Sequence, residues 1–237
     1  MKAASISKLK VRIERGSPDV DFVTKLARVK TEIARKEVEN VRQDVDFRLK
    51  LEETLAKGGR SNYIQICAPY ELYAITRLAK PKHIVEVGVS AGVSSAYFLR
   101  AIEANRMGTL HSIDLPEREK HRDAPRRISW ALPIGKESGW GVPEYLKKHW
   151  DLRLGSSGEV LPSLIDELDS VDLFLYDVPY EIEDAKNDFA IIDQKFRKGS
   201  IALADNCDIP IRWWAMKRNR AEIYTRKRSG LQGFSIS

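Results

Sequence analysis

Residues 83–114 have the sequence HIVEVGVSAGVSSAYFLRAIEANRMGTLHSID, and their pattern indicates the class of fold. It opens with the apolar run 84–87, of the kind that forms a strand buried on both faces of a sheet. A turn rich in glycine and serine follows, and then apolar residues recur at helical spacing over 96–104. A second apolar run closes on Asp114. This order predicts a unit that binds a nucleoside, because glycines let a ligand approach the backbone and the terminal carboxylate accepts ribose hydroxyls.

The turn itself discriminates between cofactors. A dinucleotide-binding turn has the pattern G-x-G-x-x-G, since a pyrophosphate needs bare backbone at the helix N-terminus. Here Gly88 and Gly92 are four positions apart with no third glycine in phase, and Glu86 brings a negative charge to the end of the strand. That charge would repel a pyrophosphate and attract a cation. The turn therefore favours a cationic nucleoside without phosphate, such as S-adenosylmethionine (SAM).

The segment from Glu86 to Gly92 resembles the first motif, E-x-G-x-x-x-G, of the class I SAM-dependent methyltransferases. The resemblance implies that the turn holds the methionine part of SAM, that the acid of the second strand holds the ribose, and that residues after the third strand meet the adenine. The alternative is an ordinary strand–turn–helix of an α/β domain. The cofactor-binding residues implied by the resemblance are Glu86, Gly88, Ser90, Gly92, Ser94, Asp114, Ser156, Ser157 and Asp177.

Length and composition limit the classes of protein to which the chain can belong. With 237 residues, 43% of them hydrophobic and 31% charged, we expect one ordinary domain with an extension. No apolar run approaches the length of a bilayer span, and the first residues lack the apolar core of a secretory signal. Cys67 and Cys207 are the only cysteines and lie far apart, which suits reduced thiols in the cytoplasm. The net charge of +6 does not by itself indicate a nucleic-acid partner.

The chain is expected to have two parts, residues 1–60 and residues 61–237. The first part comprises a basic segment and a helical arm, since apolar residues from Phe22 to Leu49 follow helical spacing. We expect one or two helices there, capped at the start by Asp19 or Asp21. This arm either packs over the second part or forms a homodimer.

The second part alternates strand and helix patterns, with a helix expected over 183–197 and a strand over 200–204. The expected fold is α/β: a Rossmann-like, seven-stranded, mostly parallel sheet with helices on both faces, plus the N-terminal helical extension. The alternation breaks over 115–150, which carries tryptophans, glycines and many basic residues. This stretch is either a lid over an acceptor pocket or a surface insertion.

Oxygen-bearing side chains end two neighbouring predicted strands. Asp177 follows one strand, and Asp205 and Asn206 follow the next, with a single crossover helix between them, so all three should open on one crevice. Carboxylate and amide oxygens suit Mg²⁺, Ca²⁺ or Mn²⁺. A second interpretation is that the two acids cap helices or contact the cofactor with no metal present.

The same residues resemble the catechol O-methyltransferase branch, where V-D-x-x-x-x-D leads through a helix and R-K-G-S to L-A-D-N. The resemblance implies that Asp177, Asp205 and Asn206 hold a divalent metal that binds the acceptor hydroxyl and lowers its pKa. One departure concerns the base, because the lysine of the branch is replaced by Tyr180. Asp177 and Tyr180 are thus the candidate catalytic residues, and Tyr180 would act as a base only with a strongly depressed pKa.

A rival interpretation rests on the segment Asp177-Val-Pro-Tyr180, which differs by one residue from the D-P-P-Y motif of amino-directed methyltransferases. It implies an N-methyltransferase acting on a nucleobase or another amine, with nucleic acid as a partner. Asp205 and Asn206 would have no use in such an enzyme. We therefore expect O-methylation of a small hydroxylated acceptor and keep N-methylation as the alternative. A third hypothesis is a catalytically lapsed module that binds SAM or RNA.

Overall fold

The computed structural model describes residues 17–57, 68–116, 132, 135–178, 181–205, 207–218, 222–227 and 230–236, with Ile209 described by its main chain alone. Within these ranges the helices are α1 (Val20–Ala27), α2 (Thr31–Arg42), α3 (Val45–Ala56), α4 (Pro69–Ala79), α5 (Val93–Asn105), α6 (Ser157–Glu167), α7 (Ile182–Asp193) and α8 (Asp208–Lys217). The strands are β1 (His83–Val87), β2 (Thr109–Asp114), β3 (Trp150–Leu154), β4 (Val171–Tyr176), β5 (Phe196–Asp205), β6 (Tyr224–Thr225) and β7 (Leu231–Ser235), and a short 3-10 helix spans Glu144–His149.

The strands form one seven-stranded sheet in the order β3-β2-β1-β4-β5-β7-β6. The five strands from β3 to β5 are parallel, and β7 runs antiparallel to both β5 and β6. The predicted Rossmann-like, seven-stranded, mostly parallel sheet is thus confirmed. The direction of winding reverses between β1 and β4, and in open α/β sheets ligands bind at the carboxyl ends of the strands beside such a switch point.

Both faces of the sheet are covered, as the unbroken apolar runs predict. Along β1, Ile84 belongs to one buried hydrophobic cluster and Val85 to another. The same alternation occurs on β4, where Leu173 joins the first cluster and Phe174 the second. Side chains on a strand point alternately to its two faces, so helices must lie on both sides.

The N-terminal arm consists of three helices rather than one or two, and it packs into the first of these clusters. Phe22, Val38 and Leu51, from α1, α2 and α3, are all buried there together with residues of the sheet. The predicted cap at Asp19 is confirmed, since its carboxylate accepts a hydrogen bond from the Phe22 amide at 3.1 Å. The predicted division between 1–60 and 61–237 falls in a stretch outside the described residues.

A buried ion pair ties the arm to the end of the chain. Arg226, just after β6, donates from Nε to Oε1 of Glu71 on α4, and both side chains are at most 2% exposed. The same Glu71 oxygen accepts from the Asp19 amide at 2.7 Å, and the Asp19 carboxylate accepts from the Lys227 amide at 2.8 Å. One pair of charges therefore holds together three segments that are distant in sequence.

Two local elements differ from the sequence-based expectation. Helix α7 ends at Asp193, and Phe196 is already the first residue of β5, so the helix expected to reach residue 197 is too long. The Phe196 ring stacks on Trp214 at a centroid distance of 5.1 Å, and this contact with α8 turns it toward the second cluster. No helix was predicted from the sequence at α8, because the segment is strongly basic and the buried residues occupy only a short part of it.

Candidate active site at the carboxyl ends of the strands

Four acidic residues lie at or near the ends of the four central parallel strands. Glu86 is on β1, Asp114 ends β2, Asp177 follows β4 and Asp205 ends β5. The Asp177 amide donates to the Val87 carbonyl at 2.9 Å, which joins the ends of β1 and β4 directly. The structure therefore brings the predicted acids of all four strands to one edge of the sheet.

The turn after β1 approaches the end of β4 so closely that only glycine fits. Gly88 has a φ of +97°, and a Cβ added there would lie 2.1 Å from the Asp177 carbonyl oxygen. Gly92 has a φ of +83°, and its Cβ would lie 2.7 Å from Cγ2 of Val142. Both predicted glycines therefore face backbone or side chains at a distance that excludes any other residue.

Glu86 lies beneath this turn and is fully buried. Its carboxylate accepts hydrogen bonds from the hydroxyls of Ser94 and Ser95, both at 2.6 Å, and of Ser112 at 2.7 Å. Burial raises the pKa of Glu86 to about 7, although the three hydroxyls favour the charged form. Because Glu86 is fully buried beneath these partners, a ligand at the carboxyl ends of the strands does not reach its carboxylate in this arrangement, and the predicted direct contact would require side chains to move.

No role at the site was predicted from the sequence for Ser95 or Ser112. Ser112 lies opposite Glu86 in the parallel pairing of β1 with β2, and it also accepts a hydrogen bond from the Trp150 indole at 2.9 Å. A glutamate within an apolar strand needs buried partners, and this requirement is the signal that could have pointed to the hydroxyls on neighbouring elements.

Asp114 is also almost fully buried, and three donors surround its carboxylate. The Val89 and Ser90 amides donate to Oδ1 at 2.9 and 3.4 Å, and the Ser138 hydroxyl donates to Oδ2. Ser138 belongs to the segment Ser138–Gly141, which we call the strap. Part of the stretch 115–150 thus lies against the glycine turn, and residues 117–131, 133 and 134 lie outside the described residues.

The surroundings of Asp114 include exposed apolar side chains that the sequence analysis did not single out. Leu115 follows Asp114 directly and is 67% exposed, and Leu154, paired with Asp114 on the neighbouring strand, is 53% exposed. Two exposed apolar side chains thus lie next to Asp114, one along the chain and one on β3.

Ser156 and Ser157 lie after β3, as the prediction required, but their hydroxyls have partners within the protein. Ser156 donates to Glu159 at 2.8 Å at the start of α6. Ser157 donates to the buried carboxylate of Asp188 on α7 at 2.6 Å. Each serine oxygen still has lone pairs and can accept a further hydrogen bond.

Asp177 and Asp205 interact electrostatically at the carboxyl ends of β4 and β5, and we call this region, together with Asp114 and the turn from Gly88 to Gly92, the cleft. Asp177 faces solvent there, yet the surrounding protein is close enough to reduce its hydration, and this effect, with the charges of Asp205 and Glu86, raises its pKa to about 7. Burial, together with Asp177, Asp205 and Asp208, raises the pKa of the neighbouring Cys207 thiol. A cation bound between the two carboxylates would relieve their repulsion.

Two of the predicted site residues, Asn206 and Tyr180, lie outside the described residues. In the part of the chain that the structure describes, no three side chains of histidine, cysteine, aspartate or glutamate form a group that could hold a metal ion. The carboxylates of Asp177 and Asp205 are thus the described portion of the predicted metal site.

Among the described residues, no helix is long and apolar enough to cross a membrane.

The fold and the acidic, glycine-bounded cleft define a Rossmann-like methyltransferase domain. The family model described as a methyltransferase domain matches residues 85–207, and the chain belongs to that family. This match covers the first glycine turn and extends through β5 to Cys207. No curated protein sequence matches the chain.

Several solved structures share the fold at low sequence identity. The O-methyltransferase from Bacillus cereus in complex with SAH, the demethylated form of SAM, is 14% identical, with a TM-score of 0.53 over 79% of this chain and 90% of that one. The SAH-bound methyltransferase PaMTH1 of Podospora anserina is 12% identical, with a TM-score of 0.53 over 81% and 88%. The O-methyltransferase TomG of Streptomyces achromogenes, in complex with SAM, is 17% identical, with a TM-score of 0.51 over 82% and 91%.

Proposed function

We propose that the protein is a SAM-dependent methyltransferase that methylates a hydroxyl group of a small acceptor. The observation that carries the proposal is that Asp114, Asp177 and Asp205 end or follow β2, β4 and β5 on the side of the sheet where the glycine turn after β1 lies, at the switch point. A carboxylate-lined cleft suits a cationic nucleoside and disfavours a pyrophosphate. The O-methyltransferases from Bacillus cereus and Streptomyces achromogenes, whose structures contain SAH and SAM, share this fold.

We assign each part of SAM to residues of the cleft. The methionine portion lies beside the turn from Gly88 to Gly92, and the ribose donates to Asp114, which ends the neighbouring strand β2. Leu154, exposed beside Asp114 on β3, offers apolar surface to the adenine, and Ser156 and Ser157, which follow β3, can accept from its exocyclic amine. Bound SAM would supply a methyl group activated by its positive sulfur.

The chain's own contribution to the reaction is to position the acceptor and to manage its proton. The backbone carbonyl of Asp177 lies beside Gly88, and we assign its exposed carboxylate the role of orienting a hydroxyl group toward the cofactor. Holding the two reacting groups in line accounts for a large part of the rate in such transfers. Tyr180, three positions after Asp177 in the sequence, stays the candidate base that would take the proton of the acceptor hydroxyl.

A divalent cation is the second part of the proposal. Asp177 and Asp205 would hold it, with Asn206 as a third ligand, and their oxygens are of the type that Mg²⁺ or Mn²⁺ prefers. What supports a cation here is the electrostatic interaction between the carboxylates of Asp177 and Asp205, which adds to the effect of burial in raising the pKa of Asp177. Such an ion would lower the pKa of the acceptor hydroxyl.

The proposal is tested by methyl transfer from SAM that carries a deuterated methyl group. The purified protein is incubated with panels of small phenols, catechols, sugars and aliphatic alcohols, and with a parallel panel of amines and nucleosides. We expect mass spectrometry to find the labelled methyl group on a hydroxyl acceptor. Transfer to nitrogen alone would establish the N-methyltransferase alternative and contradict the proposal.

A further inference from the structure

The strap is fixed against the glycine turn by its backbone. The Gly139 amide donates to the Ser90 carbonyl at 2.7 Å, and the Gly141 amide donates to the Ala91 carbonyl at 2.9 Å. Two backbone hydrogen bonds to a turn that is itself closely packed hold the strap in one place. Its position relative to Asp114 is therefore a built feature of the fold.

Both strap glycines also face bulky side chains. A Cβ on Gly139 would lie 2.0 Å from the Trp150 ring, and a Cβ on Gly141 would lie 2.4 Å from Cδ2 of Leu55. Trp150 is in turn fixed through its indole, which donates to Ser112. The strap is thus clamped between β3 and the N-terminal arm, which gives Ser138 a defined location beside the cofactor cleft.

The hydrogen bonds of Asp114 leave it short of acceptor positions. A carboxylate has about four lone-pair positions, two on each oxygen. Oδ1 already accepts from the Val89 and Ser90 amides, and Oδ2 accepts from the Ser138 hydroxyl. One position on Oδ2 is left, whereas the two hydroxyls of a ribose bring two donors.

The Ser138 oxygen can make up this shortage. A serine hydroxyl that donates its one hydrogen keeps two lone pairs. Ser138 and Asp114 are only 6% and 8% exposed, so bulk water competes weakly for these lone pairs. An acceptor therefore stands directly beside Asp114, held there by the strap.

We propose that Ser138 is a second ribose-binding residue, which accepts one of the two ribose hydroxyls of the cofactor while Asp114 accepts the other. This inference rests on the proposed function, since it takes SAM and SAH as the ligands. The stretch 115–150, for which a lid or a surface insertion was predicted, would then contribute a ribose-binding residue through the strap. It also connects the N-terminal arm to the cofactor site, through the contact of Leu55 with Gly141.

The test measures binding of SAH, 2′-deoxy-SAH and 3′-deoxy-SAH by isothermal titration calorimetry. In the unaltered protein, each deoxy analogue should bind about 5- to 10-fold more weakly than SAH, because each ribose hydroxyl has an acceptor of its own. This comparison needs no variant. If one of the two hydroxyls can be removed without loss of affinity, the inference is wrong.

The Ser138→Ala variant identifies the acceptor. We expect it to bind SAH about 5- to 10-fold more weakly, and to bind one deoxy analogue as well as the unaltered protein does. The matched control is Ser163→Ala, a surface serine of α6 whose hydroxyl donates to the Val160 carbonyl, and it should leave all three affinities unchanged.

Three other results would overturn the inference. An equal loss of affinity for SAH and for both analogues in Ser138→Ala would mean that Ser138 acts only by supporting Asp114. Tighter SAH binding in that variant would mean that the serine competes with the ribose. Absence of SAH binding to the unaltered protein would overturn the proposed function and this inference with it.

Discussion

The backbone of Gly88 lies so close to the Asp177 carbonyl oxygen that a Cβ on residue 88 would be 2.1 Å from it. This contact joins the turn after β1 to the end of β4, and it places Asp177 next to the turn that we propose holds the cofactor. The distance is far below any van der Waals contact, and the opposing atom belongs to the backbone. The spacing between the two strand ends therefore depends on glycine at this position.

Replacing Gly88 with alanine should damage both stability and binding. The φ of +97° is strained for any residue with a Cβ, and the contact with Asp177 forces the strand ends apart. We expect the free energy of unfolding to fall by about 2–4 kcal/mol, measured by urea denaturation. The matched control is Gly158→Ala in α6, where a Cβ would meet nothing within 4 Å. Equal stability of the Gly88 variant and this control would contradict the packing described for the turn.

Glu86 should make stability depend on pH. Its pKa in the folded protein is about 7, above the ordinary value of 4.5, so the folded chain keeps a proton that the unfolded chain has released. Between these two pH values the free energy of unfolding should therefore fall as pH rises, by up to about 3 kcal/mol from this group. In Glu86→Gln this part of the slope should be missing. Urea titrations at pH 5, 6, 7 and 8 measure it, and identical slopes in both proteins would refute the assignment.

The buried pair of Glu71 and Arg226 should matter far more than an exposed pair of similar geometry. Replacing Arg226 with methionine leaves the Glu71 carboxylate without its buried cation, so we expect a loss of about 3–5 kcal/mol in the free energy of unfolding. The exposed pair of Lys82 and Asp169, whose atoms lie 2.7 Å apart, supplies the control. Lys82→Met should cost less than about 1 kcal/mol. Comparable losses in the two variants would show that the ion pair does not clamp the arm.

The cation proposal predicts a thermal shift that depends on Asp205. A ligand that binds only the folded protein at ten times its Kd stabilises it by about 1.4 kcal/mol. Mg²⁺ or Mn²⁺ should therefore raise the melting temperature of the unaltered protein and leave that of Asp205→Asn unchanged. Asp166→Asn, which removes an exposed carboxylate of α6, should respond like the unaltered protein. Equal shifts in all three proteins would mean that the cation binds elsewhere.

The sheet and its acidic edge could be predicted because each depends on local patterns. The apolar runs ending at Val87, Asp114 and Tyr176 are strands in the structure, and the acids that follow or end the central strands come together as parallel topology requires. The family match supports the methyltransferase interpretation of the same stretch. These signals lie within short segments and need no knowledge of long-range contacts.

The parts that could not be predicted depend on contacts between distant segments. The partners of Glu86 come from α5 and β2, and Ser138 reaches Asp114 from a stretch with no periodic pattern. The spacing of Phe196 continues the helical pattern of α7, but α7 ends at Asp193 and Phe196 begins β5, where its ring stacks on Trp214. In each case a tertiary contact accompanies the observed arrangement, and the local spacing of residues does not predict that contact.

The proposed function requires that a cationic nucleoside bind beside Gly88 and Asp114. Calorimetric titration of the purified protein with SAH, and separately with NAD and ATP, measures this binding. We expect SAH to bind at one site, Asp114→Ala to weaken this binding, and NAD and ATP not to bind. Binding of NAD or ATP with no binding of SAH would overturn the proposed function.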